Sequence, residues 1–443
     1  MGVHATADKK IFISSLLGEV RKDFEAIPIK TQCGPKHKYS IIDCLMSGLA
    51  VFSLKYSSLL QFDKDSHTDP IVKNNLQNLY GVEEAPCDTQ MRTRLDDIDV
   101  EYLRTPFQTV FRQVQRSKLL LEYHFIDDHV IVSGDGTEYF NSETIHCCNC
   151  CAREHSNGTK CYYHQMMCAV IVHPDKKEVI PLCPEPIIKQ DGSKKNDCER
   201  NATIRMLDHI HQEHPRLKII FTADALAANG PLIKHLNKLN MSYTIVVKPD
   251  GNKSLFEYMN AFNDADLECV HITEKDGTIK KIKYRNLVPL NDSHQDLLVN
   301  FIDYTEIKPD GTTYHNTWIT NMTVTKNNAF KLVRAGRAKW KIENETFNTL
   351  KNQGYQFEHN FGHGYQNLST VLALLMMLAF CIDQIQQLGC GLFRAALKRQ
   401  GSKKALWEHL RAFFFKYFIN SWEDLYNSLI YGHKAVELRP DTS

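Results

Sequence analysis

HVIVSGDGTEYF, residues 129–140, is the stretch on which the reading of the whole chain turns. His129 to Val132 form a short β-branched run of the kind a buried strand needs. Ser133 and Gly134 then shrink the side chains, so Asp135 is expected at the mouth of the strand with open space beside it. Gly136 lets the backbone turn close to whatever that carboxylate holds. KIIFTADALAANG, residues 218–230, repeats the design: an apolar strand, small residues, then Asp224. A third acid lies in RAKWKIENETFNTLK, residues 337–351, whose spacing predicts a helix. At about 100° per residue, Trp340, Glu343, Phe347 and Leu350 share one face, and Glu345 falls on a polar face beside Lys341 and Asn348. A carboxylate on an apolar stripe is costly unless paired or bound to a metal. Glu343 is therefore the functional candidate, with a buried salt bridge to Lys339, one turn earlier, as the competing reading.

Working outward, residues 1–125 read as an all-helical N-terminal DNA-binding unit, and 126–250, with the Cys-rich loop 146–164, change to strands. After the Asp135 strand comes a hairpin, Tyr162–Val172 and Glu178–Leu182, joined by HPDKK; then helix, the Asp224 strand, helix, and the strand SYTIVVKP. That order predicts an α/β fold, a mixed sheet flanked by helices, in which the first and fourth strands lie side by side and bring Asp135 and Asp224 within reach of a shared cation. Residues 251–325, with KDG and PDG hairpin signals, read as a β-rich insertion. Helices return over 326–390, the second part of the core, and over a C-terminal segment, 391–443. The apolar run Leu368–Ile382 falls short of the ~20 residues that span a bilayer and predicts a buried core helix rather than a membrane segment.

With 443 residues, 43% hydrophobic and 24% charged, the chain can bury a large core. Its formal net charge is only +1, so any surface for a polyanion must be local. Fourteen cysteines and no apolar leader point to a reducing cytosol rather than a disulfide framework.

Two aspartates and a glutamate offer the hard oxygen ligands that Mg2+ or Mn2+ prefers. Two such ions about 4 Å apart can activate an attacking oxygen and stabilise a leaving one, which is phosphoryl-transfer chemistry. Between Lys326 and Lys351 stand seven basic residues against two acids, a local imbalance suited to the phosphates of DNA. The candidate DNA contacts are Arg334, Arg337, Lys339, Lys341 and Lys351, with His359 and His363 of the loop EHNFGHG that follows. A second signal is HCCNCCAREHSNGTKCYYH, where Cys147-x2-Cys150 and Cys161-x2-His164 have the spacing of a structural Zn2+ site. Cys148 with Cys151 is an alternative pairing, and a set of reduced, partly buried thiols is the rival reading.

DGTEYF, TADALAAN and above all RAKWKIENETFNTLKNQGYQFEHNFGHG resemble the DDE transposases of bacterial insertion sequences, and more narrowly the group with a β-strand insertion before the catalytic glutamate. The resemblance covers roughly residues 85–390. It implies an RNase H-like core and cut-and-paste movement of DNA, with metal-binding roles for Asp135, Asp224 and Glu343 and a homodimer that cuts two ends in concert. The family often has a tyrosine, an arginine four residues before the glutamate and a lysine seven after it. Here Lys339 stands at the arginine position, no tyrosine precedes it, and Lys351 comes eight residues after, which leaves hairpin formation at the transposon ends open. Two other readings stay in play: a metal-dependent nuclease of the same core that does not join strands, and a non-catalytic, transposase-derived DNA-binding protein.

Overall fold

The computed structural model describes residues 11–28, 38–188, 198–263, 266–432 and 439–440. Helices α1 (Ile13–Glu25), α2 (Ile41–Ser53), α3 (Leu59–Thr68), α4 (Pro70–Tyr80), α5 (Asp88–Asp96) and α6 (Arg104–Arg116) come first. Strands β1 (His124–Ile126), β2 (His129–Ser142), β3 (Cys151–Glu154), β4 (Lys160–Val172), β5 (Ile180–Pro181) and β6 (Glu185–Ile187) follow. Then α7 (Glu199–Glu213), β7 (Ile219–Thr222), α8 (Gly230–Lys238), β8 (Ser242–Val247) and α9 (Lys253–Asn260) alternate. Four long strands, β9 (Glu268–Thr273), β10 (Ile279–Asn291), β11 (His294–Ile307) and β12 (Thr313–Thr320), precede the helical remainder. That remainder is α10 (Ala329–Arg337), α11 (Asn348–Asn352), α12 (Leu368–Gly389), α13 (Gly391–Gln400), α14 (Lys403–Lys416) and α15 (Trp422–Tyr431).

The main sheet has the order β3-β4-β2-β7-β8-β12-β11-β10-β9. β2, β7 and β8 are mutually parallel, and β4 runs antiparallel to β2. This is the RNase H-like arrangement, and the adjacency of the first strand to the Asp224 strand is as the element order predicts. Two details differ. β2 runs on to Ser142, because β4 pairs with it over its whole length, so Asp135 lies mid-strand opposite Cys168 rather than at a strand end. The anticipated hairpin shrinks to two residues of β5, since the hydrogen-bonding edge of β4 is taken up by β2 and then by β3, β5 and β6. The β-rich insertion joins the same sheet, with Thr317 of β12 opposite Val247 of β8.

The helices are organised by α12, whose residues from Leu368 to Gln386 are all buried. By length and composition it is apolar enough to cross a membrane, yet it is sheathed on every side by this chain. α2, α5, α6 and α1 pack on one flank; on the other, Tyr139 meets Thr370 (3.0 Å) and the Val179 N–H donates to Gln384 (3.2 Å). The N-terminal helices therefore share one continuous core with the strand-bearing region. Gly48 permits the closest approach of α2, since a Cβ there would lie 2.8 Å from Leu375 Cδ1.

Two buried polar contacts lock this arrangement. Asp96, on α5, accepts hydrogen bonds from the backbone N–H groups of Tyr365, Gln366, Asn367 and Leu368 at 2.8–3.0 Å, capping the start of α12 from outside the helix. Gly364, at φ 68°, is required beside it: a Cβ would fall 2.4 Å from Asp96 Oδ1. Lys55, after α2, places its Nζ 2.7 Å from Asp383 in the middle of α12, between the rings of Tyr355 and Trp407. Asp96→Ala orphans four donors at once and should cost about 2 kcal/mol or more, read as a lower urea midpoint. Asp96→Asn, which keeps an acceptor oxygen, should fall between that variant and the parent.

Candidate active site

Ser133 of β2 lies opposite Thr222 of β7, and β7 ends there while β2 continues. Two residues beyond that pair on each chain segment, Asp135 and Asp224 line one cavity at the opening this creates. Small residues keep it open. A Cβ on Gly134 would strike the Phe221 ring at 2.6 Å, and one on Gly136 would strike Glu199 Oε1 at 2.5 Å. Asp224 caps the short turn Ala225–Ala227, accepting the Leu226 N–H at 3.1 Å.

Glu343 arrives from a separate direction. Residues Ile342–Phe347 form a π-helical segment between α10 and α11. The buried hydroxyls of Ser133 and Thr222 donate to the carbonyls of Lys339 (3.1 Å) and Gly336 (3.5 Å), so the two parallel strands hold the end of α10 and the turn leading into this segment. The Lys339 ammonium lies 3.1 Å from Asp135 Oδ2 and also hydrogen-bonds Glu343 Oε1. The salt bridge weighed against a functional Glu343 thus exists, but it includes Asp135.

The charges feel one another. Burial raises the Asp135 carboxyl above its ordinary pKa; Lys339 opposes the rise, while Glu343 and Asp224 add to it. Burial would push Lys339 down, but Glu343 and Asp135 outweigh it and hold the ammonium above its usual range. Glu199, at the start of α7, is a third carboxylate lining the cavity with Asp135 and Asp224, raised by burial and then by those two; Glu343 is not among the lining residues. Nothing in its sequence neighbourhood, NDCERNAT, distinguishes it from a surface helix acid; only the sheet brings it here.

The other anticipated residues divide. Phe347 and Leu350 are buried as the stripe requires, but the π segment breaks the α-helical phase, so Ile342 and Thr346 join them while Glu343 and Trp340 are exposed. Arg334 pairs with Asp175, Arg337 with Glu306 (2.8 Å) and Lys351 with Glu358 (2.7 Å). Lys341 is buried, donating to the Lys176 carbonyl at 2.6 Å, which removes it from the candidate DNA surface because its charge is spent inside the fold. His359 is exposed, whereas His363 is buried and turned toward Cys150, which removes it from that surface also. Cys147, Cys150 and His164 come together, but Cys161 does not join them: its position on β4 points its thiol at Asn141 Oδ1 (2.6 Å), and His363 takes the fourth place.

Lys339 is held between two carboxylates, whose oxygens are ligands of the kind that suits Mg2+ or Mn2+. Lys339→Met leaves the acids without that counter-charge. Allowing for the exposure of Glu343, it should cost about 1–2 kcal/mol in the absence of divalent ions. Mn2+ should then raise the melting temperature of the variant more than that of the parent; equal shifts would count against a cation place here. Glu199→Gln should melt higher than the parent above the carboxylate titration range, because a raised acid pKa means the ionised form is the strained one. The difference should vanish as pH falls through that range.

Among proteins of known family, the transposase DDE domain matches residues 142–381, a span that contains Asp224 and Glu343 and begins after Asp135. A search of curated proteins finds no match. Over half its length, and across the sheet and helices that bring these acids together, the chain therefore belongs to the DDE transposases of the insertion-sequence type.

Proposed function

We propose that this chain cuts DNA at the ends of an insertion sequence and joins the freed ends to target DNA, with Asp135, Asp224 and Glu343 holding Mg2+ or Mn2+. The observation that carries the reading is the convergence of Asp135 and Glu343 on one ammonium while Asp135 and Asp224 line one cavity. Bound divalent ions would stabilise charge on the entering and leaving oxygens of the phosphate.

In the cleavage step a water oxygen attacks phosphorus and the P–O3′ bond breaks, leaving a 3′-OH on the element. In the joining step that 3′ oxygen attacks a target phosphorus and the target's own 3′ oxygen leaves. One phosphodiester forms for each one broken, so joining needs no energy source. The proton of the attacking hydroxyl must be held and passed to the leaving oxygen, and the raised pKa of Glu199 suits its carboxylate to carry it. Lys339, once displaced by a metal ion, is free to contact a phosphate oxygen. A π turn takes in one more residue than an α turn, which goes with a lysine eight rather than seven residues after Glu343; Lys351 itself pairs with Glu358. Arg200 lines the cavity, and exposed Trp340 and Leu226 offer apolar faces on which unpaired bases can stack. A homodimer in the active complex goes with this reading, as two ends must be cut together.

The test compares the parent with Glu343→Gln on DNA carrying the element's ends, with Mn2+ or Mg2+. The variant should still bind but lose at least about a hundredfold in cleavage, the upper end of what even an outer ligand partner contributes. Equal cleavage by both would remove Glu343 from the site. Cleavage without joining of pre-cut ends would favour the nuclease reading, and binding without cleavage by either would favour a DNA-binding protein.

A further inference from the structure

Away from the carboxylates, four side chains from three separate segments converge. Cys147 and Cys150 lie in the loop after β2, His164 on β4, and His363 in the turn that follows the glutamate helix and α11. Cys150, His164 and His363 are buried and Cys147 partly so. The two sulfurs are 3.8 Å apart; His164 Nε2 lies 3.4 and 3.3 Å from the sulfurs of Cys147 and Cys150. His363 Nε2 lies 3.2 Å from Cys150 Sγ and 3.2 Å from His164 Nε2.

These separations match one geometric object. A tetrahedron with Zn–S of about 2.3 Å and Zn–N of about 2.0–2.1 Å has edges of about 3.8 Å between sulfurs, 3.5–3.6 Å from sulfur to nitrogen and 3.3–3.4 Å between nitrogens. A disulfide, with its sulfurs about 2.05 Å apart, does not fit. The ring orientations agree. His363 Nδ1 lies 3.0 Å from the Gly364 carbonyl, so it carries the proton and leaves the Nε2 lone pair facing the cluster. His164 is 1% exposed, and its Nδ1 has no partner among the described residues, so the cluster is the one polar neighbourhood its ring reaches. Tyr139 stacks on His164 and Phe140 packs on His363, shielding the place from water.

We infer that Cys147, Cys150, His164 and His363 bind one structural Zn2+. Two thiolates neutralise the dication, so the complete site carries no net charge into the interior. All four corners are taken by protein, the closed shell of a structural rather than a catalytic zinc. The metal fastens the end of the Asp135 strand to the turn beyond the Glu343 helix, two segments remote in sequence. Asn149 reinforces the same junction through the Gln366 carbonyl (3.0 Å) and the Asn367 side chain (3.1 Å).

Elemental analysis of the full-length chain, purified without chelator, should find about one zinc per chain. Replacement by Co2+ should give the intense visible absorption of a tetrahedral ion with thiolate charge transfer. Cys161→Ser should keep the metal and Cys147→Ser should lose it; Glu343→Gln should keep it, which separates this place from the carboxylates. Should Cys147→Ser fail to fold, alkylation of the parent, mapped by mass spectrometry, serves instead: Cys147 and Cys150 should react faster after chelation, and Cys148 should not. A folded chain that retains no zinc after incubation with it, loss of metal in Cys161→Ser equal to that in Cys147→Ser, or alkylation rates unmoved by chelation would each overturn the assignment.

Discussion

A long apolar helix at the centre of a fold must be covered along its whole circumference, and α12 imposes that demand on everything around it. The sheet covers one flank and the helices before and after it in sequence cover the rest. The cover carries polar clasps as well as apolar contact. Asp383 in mid-helix is tolerable only because Lys55 reaches it, and removing one member of such a pair is far costlier than never having had it. Lys55 is itself pushed below its ordinary pKa by burial, with Asp383 pulling the other way. Asp96 supplies at the first turn of α12 the acceptors that no residue of the helix provides.

The carboxylate cavity depends on that frame but is built differently. Its members repel one another, and the fold holds them through backbone registry rather than mutual attraction. Parallel pairing of β2 with β7 carries both aspartates to one cavity, and two hydroxyls tie the end of α10 and the turn after it, which lead into the glutamate segment, to the strands. The strain is local, concentrated on Asp135 and Glu199. A π-helical stretch at the third acid is in keeping with a place where regular geometry yields to positioning.

Much of this was legible in the sequence, because strand, small residues and aspartate recur at two places and the element order restricts how they can pair. The strand length was not, since β2 is prolonged by hydrogen bonds to a partner thirty or so residues away, a tertiary effect. A period of 3.6 puts Glu343 on the apolar face, and the π segment moves it off that face. Spacing alone chose Cys161 as a zinc candidate; along β4 the side chains alternate, and which of Cys161 and His164 turns inward is decided by packing. Basic residues counted toward DNA proved in part to be spoken for by Asp175, Glu306 and the Lys176 carbonyl, partners that no local window contains. Glu199 carried no local signal at all.

The pairing of β12 with β8 has a consequence for how such a chain can vary. The inserted strands leave the sheet edge after Val247 and return beside it at Thr317, so departure and arrival are neighbours whatever lies between. Loop closure grows only slowly in cost with length. β9, β10 and β11 are therefore slats added to the outer end of a finished floor: they can be lengthened, shed or reshaped into a different surface while the boards that carry the aspartates stay nailed where they are.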